Sequence, residues 1–318
     1  MSAVPFIDAA SVEGLFGWND AIAAIERGHR GPAPRMDDLF IETANGNGLL
    51  NRAAWIEGIG LGLKSVSIFP ANPSRTPSMP TVQGFFSLFD EGTGQPLALI
   101  DGPLITHWKT AADSLLATRL LARSDAKTLL IIGAGTLAGS LLDAYSHAMP
   151  GLEAIQVYAR DRSKAEALVR GNTLASTVDV LDAAVGNADI ISTATSATTP
   201  ILFGAGVPEG CHVDLVGAYA RHNREADDEL LRRGSLFVDA RETTIEHIGE
   251  LATPVASGVI DASAVRGDLR ELVAGGVGRR ADAEITVFKN GGGAHLDLMI
   301  AGLIYERWNS ARTPHTAR

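Results

Sequence analysis

The run Gly133-Ala-Gly135-Thr136-Leu137-Ala138 has the residue types and spacing to hold a pyrophosphate. Gly133 permits a tight turn, Gly135 lets the backbone approach the phosphates, and Ala138 lets a helix pack closely on a strand. A helix starting at Thr136 and Leu137 offers free N–H groups and the positive end of its dipole to an anion. Glycine-rich turns are common, so the flanks decide. An apolar run from Thr128 enters the turn and a helical pattern leaves it. Together they read as the opening of a dinucleotide-binding βαβ unit.

The tip of the second strand of such a unit meets the adenosine ribose. A carboxylate there suits the 2′-hydroxyl of NAD, and an arginine suits the 2′-phosphate of NADP. The sequence is Val157-Tyr-Ala-Arg160-Asp-Arg162, with no acid ahead of the two arginines. NADP(H) is therefore expected over NAD(H). The competing reading makes Arg160 and Arg162 a solvated cap on the next helix, with Asp161 or Ser163 as its N-cap.

The elements that must position these residues follow from the hydrophobic pattern. Strands are expected at 128–133, 154–159, 189–193, 212–216, 236–239 and 284–288. Helices are expected at 136–148, 163–170, 178–185 and 225–233. This alternation implies a doubly wound parallel sheet. Upstream, a helix is expected at 20–30 with Asn19 as its cap. Strands are expected at 61–69, 83–89 and 96–101, and a Pro-rich loop at 72–80. A helix is expected at 106–123 with Leu115, Leu116, Leu120 and Leu121 on its apolar face. A last helix is expected at 296–308. The expected fold is α/β: a Rossmann-type domain over 124–294 and a split α+β substrate and dimerisation domain over 1–123, completed by 295–318.

Composition excludes several classes. A chain of 318 residues is long for a single core. Its formal charge of −10 disfavours nucleic acid and anionic membrane as partners. No run approaches the ~18 apolar residues that span a bilayer. The first residues lack a basic segment followed by an apolar one, so no leader is expected. Cys211, the single cysteine, cannot form an internal disulfide, which suits the cytoplasm. The polar tail 312–318 is expected to fray. No spacing of Cys, His and acids suggests a metal site.

A wider set of motifs is more specific. In order along the chain come Gly62-Leu-Lys64-Ser-Val-Ser-Ile-Phe-Pro70, Pro80-Thr81, Lys109-Thr-Ala-Ala112, Gly133-Ala-Gly135, Thr193-Ala-Thr195, Val216-Gly217 and Thr286-Val-Phe-Lys289. The combination resembles the ornithine cyclodeaminase/μ-crystallin family from about residue 30 to residue 300. That resemblance implies a homodimer and chemistry at the Cα of a small imino or amino acid. It makes Lys64 the active-site lysine, which contacts the substrate carboxylate and can transfer protons. It places Arg35 and Lys109 on that carboxylate, with Gly291 near the reacting carbon. Thr81, Thr193, Thr195, Val216 and Asn290 would line the nucleotide with the glycine turn. Without the resemblance, Lys64 reads as a strand lysine reaching for solvent. Lys109 reads as a lysine at a helix start, where the dipole disfavours it unless an anion is near.

Two departures bear on the reaction. Lys109 replaces a usual arginine and loses its bidentate fork. Gly217-Ala218-Tyr219 replaces the Gly-x-Asp of deaminating members, and a tyrosine offers no full negative charge to an ammonium at neutral pH. Asp297 is another candidate acid. His295 could line the pocket, while Asp214 faces away from the Tyr219 turn. The expected function is NAD(P)H-dependent reduction of a cyclic ketimine carboxylate, Δ1-pyrroline-2-carboxylate or Δ1-piperideine-2-carboxylate. The alternatives are ornithine cyclodeamination and a non-catalytic NADPH-dependent binding protein of μ-crystallin type.

Overall fold

The computed structural model describes residues 3–312. Of the tail expected to fray, 312–318, Arg312 ends a helix and the rest lies outside the described residues. The chain divides into two compact units, Met1–Lys109 with Gly293–Arg318, and Thr110–Gly292.

The first unit contains β1 (Phe6–Ile7), α1 (Trp18–Arg30), β2 (Arg35–Glu42), β3 (Gly48–Ile56), β4 (Gly60–Ile68), β5 (Val82–Phe89) and β6 (Pro96–Asp101). Helix α2 (Gly102–Leu121) follows, and the division between units falls inside it. The strands form one sheet in the order β1-β6-β5-β4-β3-β2, antiparallel except for the β1–β6 pair. Strands β1, β2 and β3 were not expected. Strand β2 is exposed along nearly all its length, so neither face imposes the alternation that marks a half-buried strand.

Both early helices begin before their expected starts. Helix α1 follows Gly17, whose N–H donates to the Asp20 carboxylate at 3.0 Å; Asn19 is not the cap. Helix α2 starts four residues before Thr106. The Asp101 carboxylate accepts the Leu104 N–H at 3.2 Å, and Pro103 occupies the first turn, where its missing N–H costs nothing. Along α2, Leu115, Leu116 and Leu121 are buried, but Leu120 is exposed and leaves the expected apolar face.

The second unit runs β7 (Thr128–Ile132), α3 (Thr136–Ala148), β8 (Ala154–Tyr158), α4 (Arg162–Val169), β9 (Ala175–Thr177), α5 (Leu181–Gly186), β10 (Ile190–Thr193), β11 (His212–Leu215), α6 (Asp228–Arg233), β12 (Ser235–Val238), α7 (Arg241–Thr244), α8 (Gly249–Ala256), β13 (Val265–Asp268), α9 (Leu269–Val273) and β14 (Thr286–Lys289). All its strand pairings are parallel, in the order β13-β12-β14-β11-β10-β7-β8-β9. Strands β10, β11 and β14 are buried at every position, as expected of strands covered on both faces. The winding reverses between β7 and β10, and such a switch point forms a crevice at the carboxyl ends of the strands.

Helix α10 (Ala294–Arg312) returns to the first unit and packs on α1, β3, β4 and β5.

Candidate active site

In the first unit three charged groups converge from distant parts of the chain. Lys64 on β4 places Nζ 3.0 Å from Oδ1 of Asp297 on α10. Lys109 on α2 places Nζ 3.9 Å from the same oxygen. Asp297 is fully buried, and its Oδ2 finds no hydrogen-bond partner among the described residues. Burial pushes the Asp297 carboxyl up, but Lys109 and Lys64 outweigh it and hold the group below its ordinary value. It is an anion at neutral pH.

Lys109 is buried and lies in the third turn of α2, so the expectation of a lysine at a helix start is corrected. The dipole argument made for it does not apply. Its charge answers to Asp297 instead.

Two further groups border this cluster. Arg52 on β3 pairs in register with Lys64, and its Nε lies 2.8 Å from Asp38 Oδ2. His295, the second residue of α10, is buried with its ring 5.7 Å from that of His29. Its Nδ1 lies 3.1 Å from the sulfur of Met36. Burial, helped by Lys109, pulls the His295 imidazole down to about 3, so it is neutral at physiological pH. Arg35 does not join the group. It is exposed at the start of β2, with Glu57 at 3.5 Å. Thr81 is half-buried, and its carbonyl accepts the Phe69 N–H at 2.7 Å.

The second unit carries the glycine turn. Gly133 has φ +127°, and a Cβ there would lie 2.4 Å from the Ala194 carbonyl oxygen, so only glycine fits. Gly135 is the N-cap of α3, and a Cβ on it would meet nothing within 4 Å. The space beside it is open, and the first N–H groups of α3, from Thr136 and Leu137, lie at that helix end. These residues fit a dinucleotide pyrophosphate.

At the tip of β8 the two arginines separate. Arg162 opens α4 and pairs with Glu166 at 2.8 Å and with Asp179. Asp161 is the N-cap, accepting the Ser163 N–H at 3.1 Å. Arg160 is exposed, and no ion pair engages it among the described residues. The cap reading therefore describes Asp161 and Arg162, while Arg160 remains available to a ligand.

Thr193 and Thr195 do not turn their hydroxyls outward. Thr193 Oγ1 donates to Glu225 Oε2 and Thr195 Oγ1 to Glu225 Oε1, each at 2.8 Å. Val216 is buried beyond β11, its N–H on the Thr193 carbonyl at 3.0 Å. Asn290 donates through Nδ2 to the Thr110 carbonyl and to Ser114 Oγ, both at 3.3 Å. Gly291 is packed against α7, where a Cβ would lie 2.2 Å from Thr244 Oγ1.

Asp214 is buried between Ser192 Oγ at 2.7 Å and Ser114 Oγ at 3.0 Å. Burial pushes its carboxyl up to about 7 against those two hydrogen bonds. Tyr219 is 74% exposed.

The sequence matches the ornithine cyclodeaminase/mu-crystallin family over residues 20–312. The chain belongs to that family. It is 49% identical over 309 residues to a Delta(1)-pyrroline-2-carboxylate reductase of Paracoccus denitrificans, covering 95% of this chain and 96% of that protein. The structure of the Thermococcus litoralis Delta(1)-pyrroline-2-carboxylate reductase with NADH and L-proline superposes with a TM-score of 0.88 at 31% identity, covering 99% of this chain and 100% of that one. An archaeal alanine dehydrogenase, a dimer with bound NAD, superposes at 0.89 with 28% identity and 99% coverage of each chain.

Sequence reasoning missed Arg52 and Glu225. Arg52 lies in a strand whose pattern was not legible. Glu225 was expected to open a helix, but α6 begins at Asp228 behind the N-cap Asp227, whose carboxylate accepts the Leu230 N–H at 3.0 Å. This correction frees Glu225 from the helix and leaves it in the segment leading to it. Asp-x-x-Leu before an apolar pair was the available signal.

Proposed function

We propose that this chain is an NAD(P)H-dependent reductase of cyclic ketimine carboxylates, converting Δ1-pyrroline-2-carboxylate to proline and Δ1-piperideine-2-carboxylate to pipecolate. The observation that carries this is the cluster of Lys64, Lys109 and Asp297, two cations around one buried acid. Its charge is two positives less one negative, a net single positive, which matches one substrate carboxylate. The 49% identity to the Paracoccus reductase and the likeness to the proline-bound Thermococcus enzyme support the same substrate class.

The unpartnered Oδ2 of Asp297 suits the protonated ring nitrogen of an imine. Protonation at nitrogen makes C2 electrophilic, and a carboxylate beside that nitrogen holds the proton there. Lys64 and Lys109 hold the substrate carboxylate and so fix which carbon is presented. The glycine turn would hold the dinucleotide, whose reduced nicotinamide would supply the hydride for C2. As the new C2–H bond forms, the π pair of the C=N bond moves onto nitrogen, which keeps its proton and stays in the ring as a secondary amine. His295, neutral and buried, adds no charge to this balance.

Arg160 supports a preference for the 2′-phosphate of NADP(H), since it is the arginine at the β8 tip that no ion pair engages among the described residues. A homodimer is supported by the exposed Leu39, Phe40 and Ile41 on edge strand β2 and by Leu49 and Trp55 on β3. Among the described residues no helix is long and apolar enough to cross a membrane. A cytoplasmic location rests on the lone buried Cys211.

The test follows absorbance of NADPH and of NADH with each cyclic imine, and ammonia release from ornithine. Oxidation with the imines and no ammonia from ornithine is expected. Ammonia and proline from ornithine without added imine would overturn the reading. Binding of the nucleotide with no oxidation by either imine would do so too.

A further inference from the structure

The carboxyl ends of β10 and β11 are tied together by one side chain. Glu225 is fully buried. Its Oε1 accepts the Thr195 N–H at 2.7 Å and the Thr195 hydroxyl at 2.8 Å. Its Oε2 accepts the Thr193 hydroxyl at 2.8 Å, the Gly217 N–H at 2.7 Å and the Ala218 N–H at 3.2 Å. Thr193 and Thr195 leave β10, and Gly217 and Ala218 leave β11. The two exits touch, since a Cβ on Gly217 would lie 2.1 Å from the Thr195 carbonyl oxygen.

Glu225 is itself held from behind. Its own N–H and that of Ala226 donate to the two oxygens of Glu250 on α8, at 2.8 and 2.9 Å. Its carbonyl accepts the N–H groups of Ile201 and Leu202, both at 2.9 Å. The buried Lys289 interacts electrostatically with Glu225 and Glu250, and its Nζ donates to the Leu215 carbonyl at 2.8 Å and the Asn290 carbonyl at 2.6 Å. A fixed acceptor facing five donors over-determines the loop geometry. A buried donor without a partner costs more than a typical hydrogen bond contributes, so the loops have little freedom to drift.

Topology says which part of a dinucleotide these loops meet. The pyrophosphate turn follows β7, and the ribose-reading Arg160 lies at the tip of β8, on one side of β7. Strands β10 and β11 lie on the other side. A dinucleotide crossing the strand ends at the switch point therefore runs its nicotinamide half over β10 and β11.

We propose that Glu225 is the positioning residue for the nicotinamide half of the cofactor. It acts through the Thr193–Thr195 and Gly217–Ala218 loops and contacts no substrate itself. The proposal rests on the nucleotide-dependent reading above. It also reassigns the Thr193 and Thr195 hydroxyls: they serve the loop's internal bonding, and the loops meet the cofactor through other groups.

The experiment titrates full-length wild type, Glu225→Gln and Thr195→Ala with NADPH, NADH and ADP, the last carrying only the adenine half. Glu225→Gln replaces an acceptor with a donor facing donors. Its dissociation constants for the preferred dinucleotide should rise by about tenfold or more, about 1.4 kcal/mol, while that for ADP stays within about twofold. Thr195→Ala removes one donor and should show the same selectivity with a smaller rise, about threefold. It carries the test if Glu225→Gln does not fold. Equal weakening of dinucleotide and ADP, or no weakening of either, would overturn the positioning role. Failure of the wild type to bind any dinucleotide would instead overturn the underlying reading, so the two failures are distinguishable.

Discussion

Lys64 Nζ and Asp297 Oδ1 lie 3.0 Å apart although 233 positions separate them in the chain. The pair brings a strand lysine to the first turn of the last helix. It gives Lys64 a partner inside the protein and leaves the second Asp297 oxygen for a ligand.

Lys64→Ala should lower kcat/KM for Δ1-pyrroline-2-carboxylate by about 10³-fold, the scale for truncating one partner of a buried charge pair. Nucleotide affinity should stay within about twofold, because Lys64 and the glycine turn share no partner. Steady-state kinetics and a nucleotide titration on the same preparation check both halves. Retained turnover would remove Lys64 from the reaction.

Asp297→Asn separates two roles. The change raises the cluster's net charge from one positive to two, which favours the substrate carboxylate. It also removes the partner proposed for the ring nitrogen. The expected result is a kcat lowered by about 10²-fold or more with no rise in KM. A rise in KM alone would assign Asp297 to carboxylate binding through its lysines. The pH dependence has a definite sign. The folded Asp297 carboxyl is held low, so the pair's contribution is present above the unfolded value and is lost as pH falls through the folded one. Asp297 should therefore add no inflection to the kcat/KM profile above about pH 5.

Arg160→Ala should weaken NADPH by about tenfold or more and NADH by less than about twofold, because one charge-assisted contact to the 2′-phosphate is removed. Arg162→Ala should change both little, since Arg162 is engaged by Glu166 and Asp179. Equal losses of NADPH and NADH for Arg160→Ala would show that it does not read the phosphate.

Asp214 predicts a stability effect in the neutral range. Its folded carboxyl is pushed up to about 7 by burial, above the unfolded value near 4. The folded state thus binds the extra proton between those limits. The contribution is full below the unfolded value, declines as pH rises and is spent above about 7. Asp214→Asn keeps a hydrogen-bonding amide between Ser114 and Ser192 without an ionisable proton. Its Tm should exceed that of the wild type by a few degrees at pH 8 and match it near pH 4. Parallel melting curves for the two proteins across that range would rule the effect out.

Tyr219→Asp restores an acid at the position where deaminating relatives are expected to have one. Tyr219 is exposed, so the substitution disturbs no packing. Ammonia release from ornithine should become measurable in the variant and stay at background in the wild type. No ammonia from either would mean that this position does not by itself limit deamination.

In the second unit the six expected strands and the glycine turn were legible because those features are local, whereas β9, β13, α7, α8 and α9, all short, were not expected. A parallel strand buried on both faces is a short apolar run, and the turn from β7 to α3 is a glycine pattern that only a few backbone conformations satisfy. The bounds of α3 were read without error for the same reason, with Gly135 at its start and an unbroken period after it. The β2–β3 hairpin was not legible, because β2 is exposed nearly throughout and carries no alternation.

Residue types and their order along the chain were enough for the family and the dinucleotide turn, and they singled out Lys64 as a candidate. They could not say what each charged side chain faces, because that depends on elements far apart in sequence. Folding alone showed that Lys109 is buried two turns into its helix, that Lys64 and Lys109 share one acid, and that Arg162 is engaged in ion pairs while Arg160 has none among the described residues. It also turned the Thr193 and Thr195 hydroxyls onto Glu225. The physical reason is common to all of these. A local pattern determines the backbone, whereas a buried charge must find its partner wherever the tertiary fold supplies one.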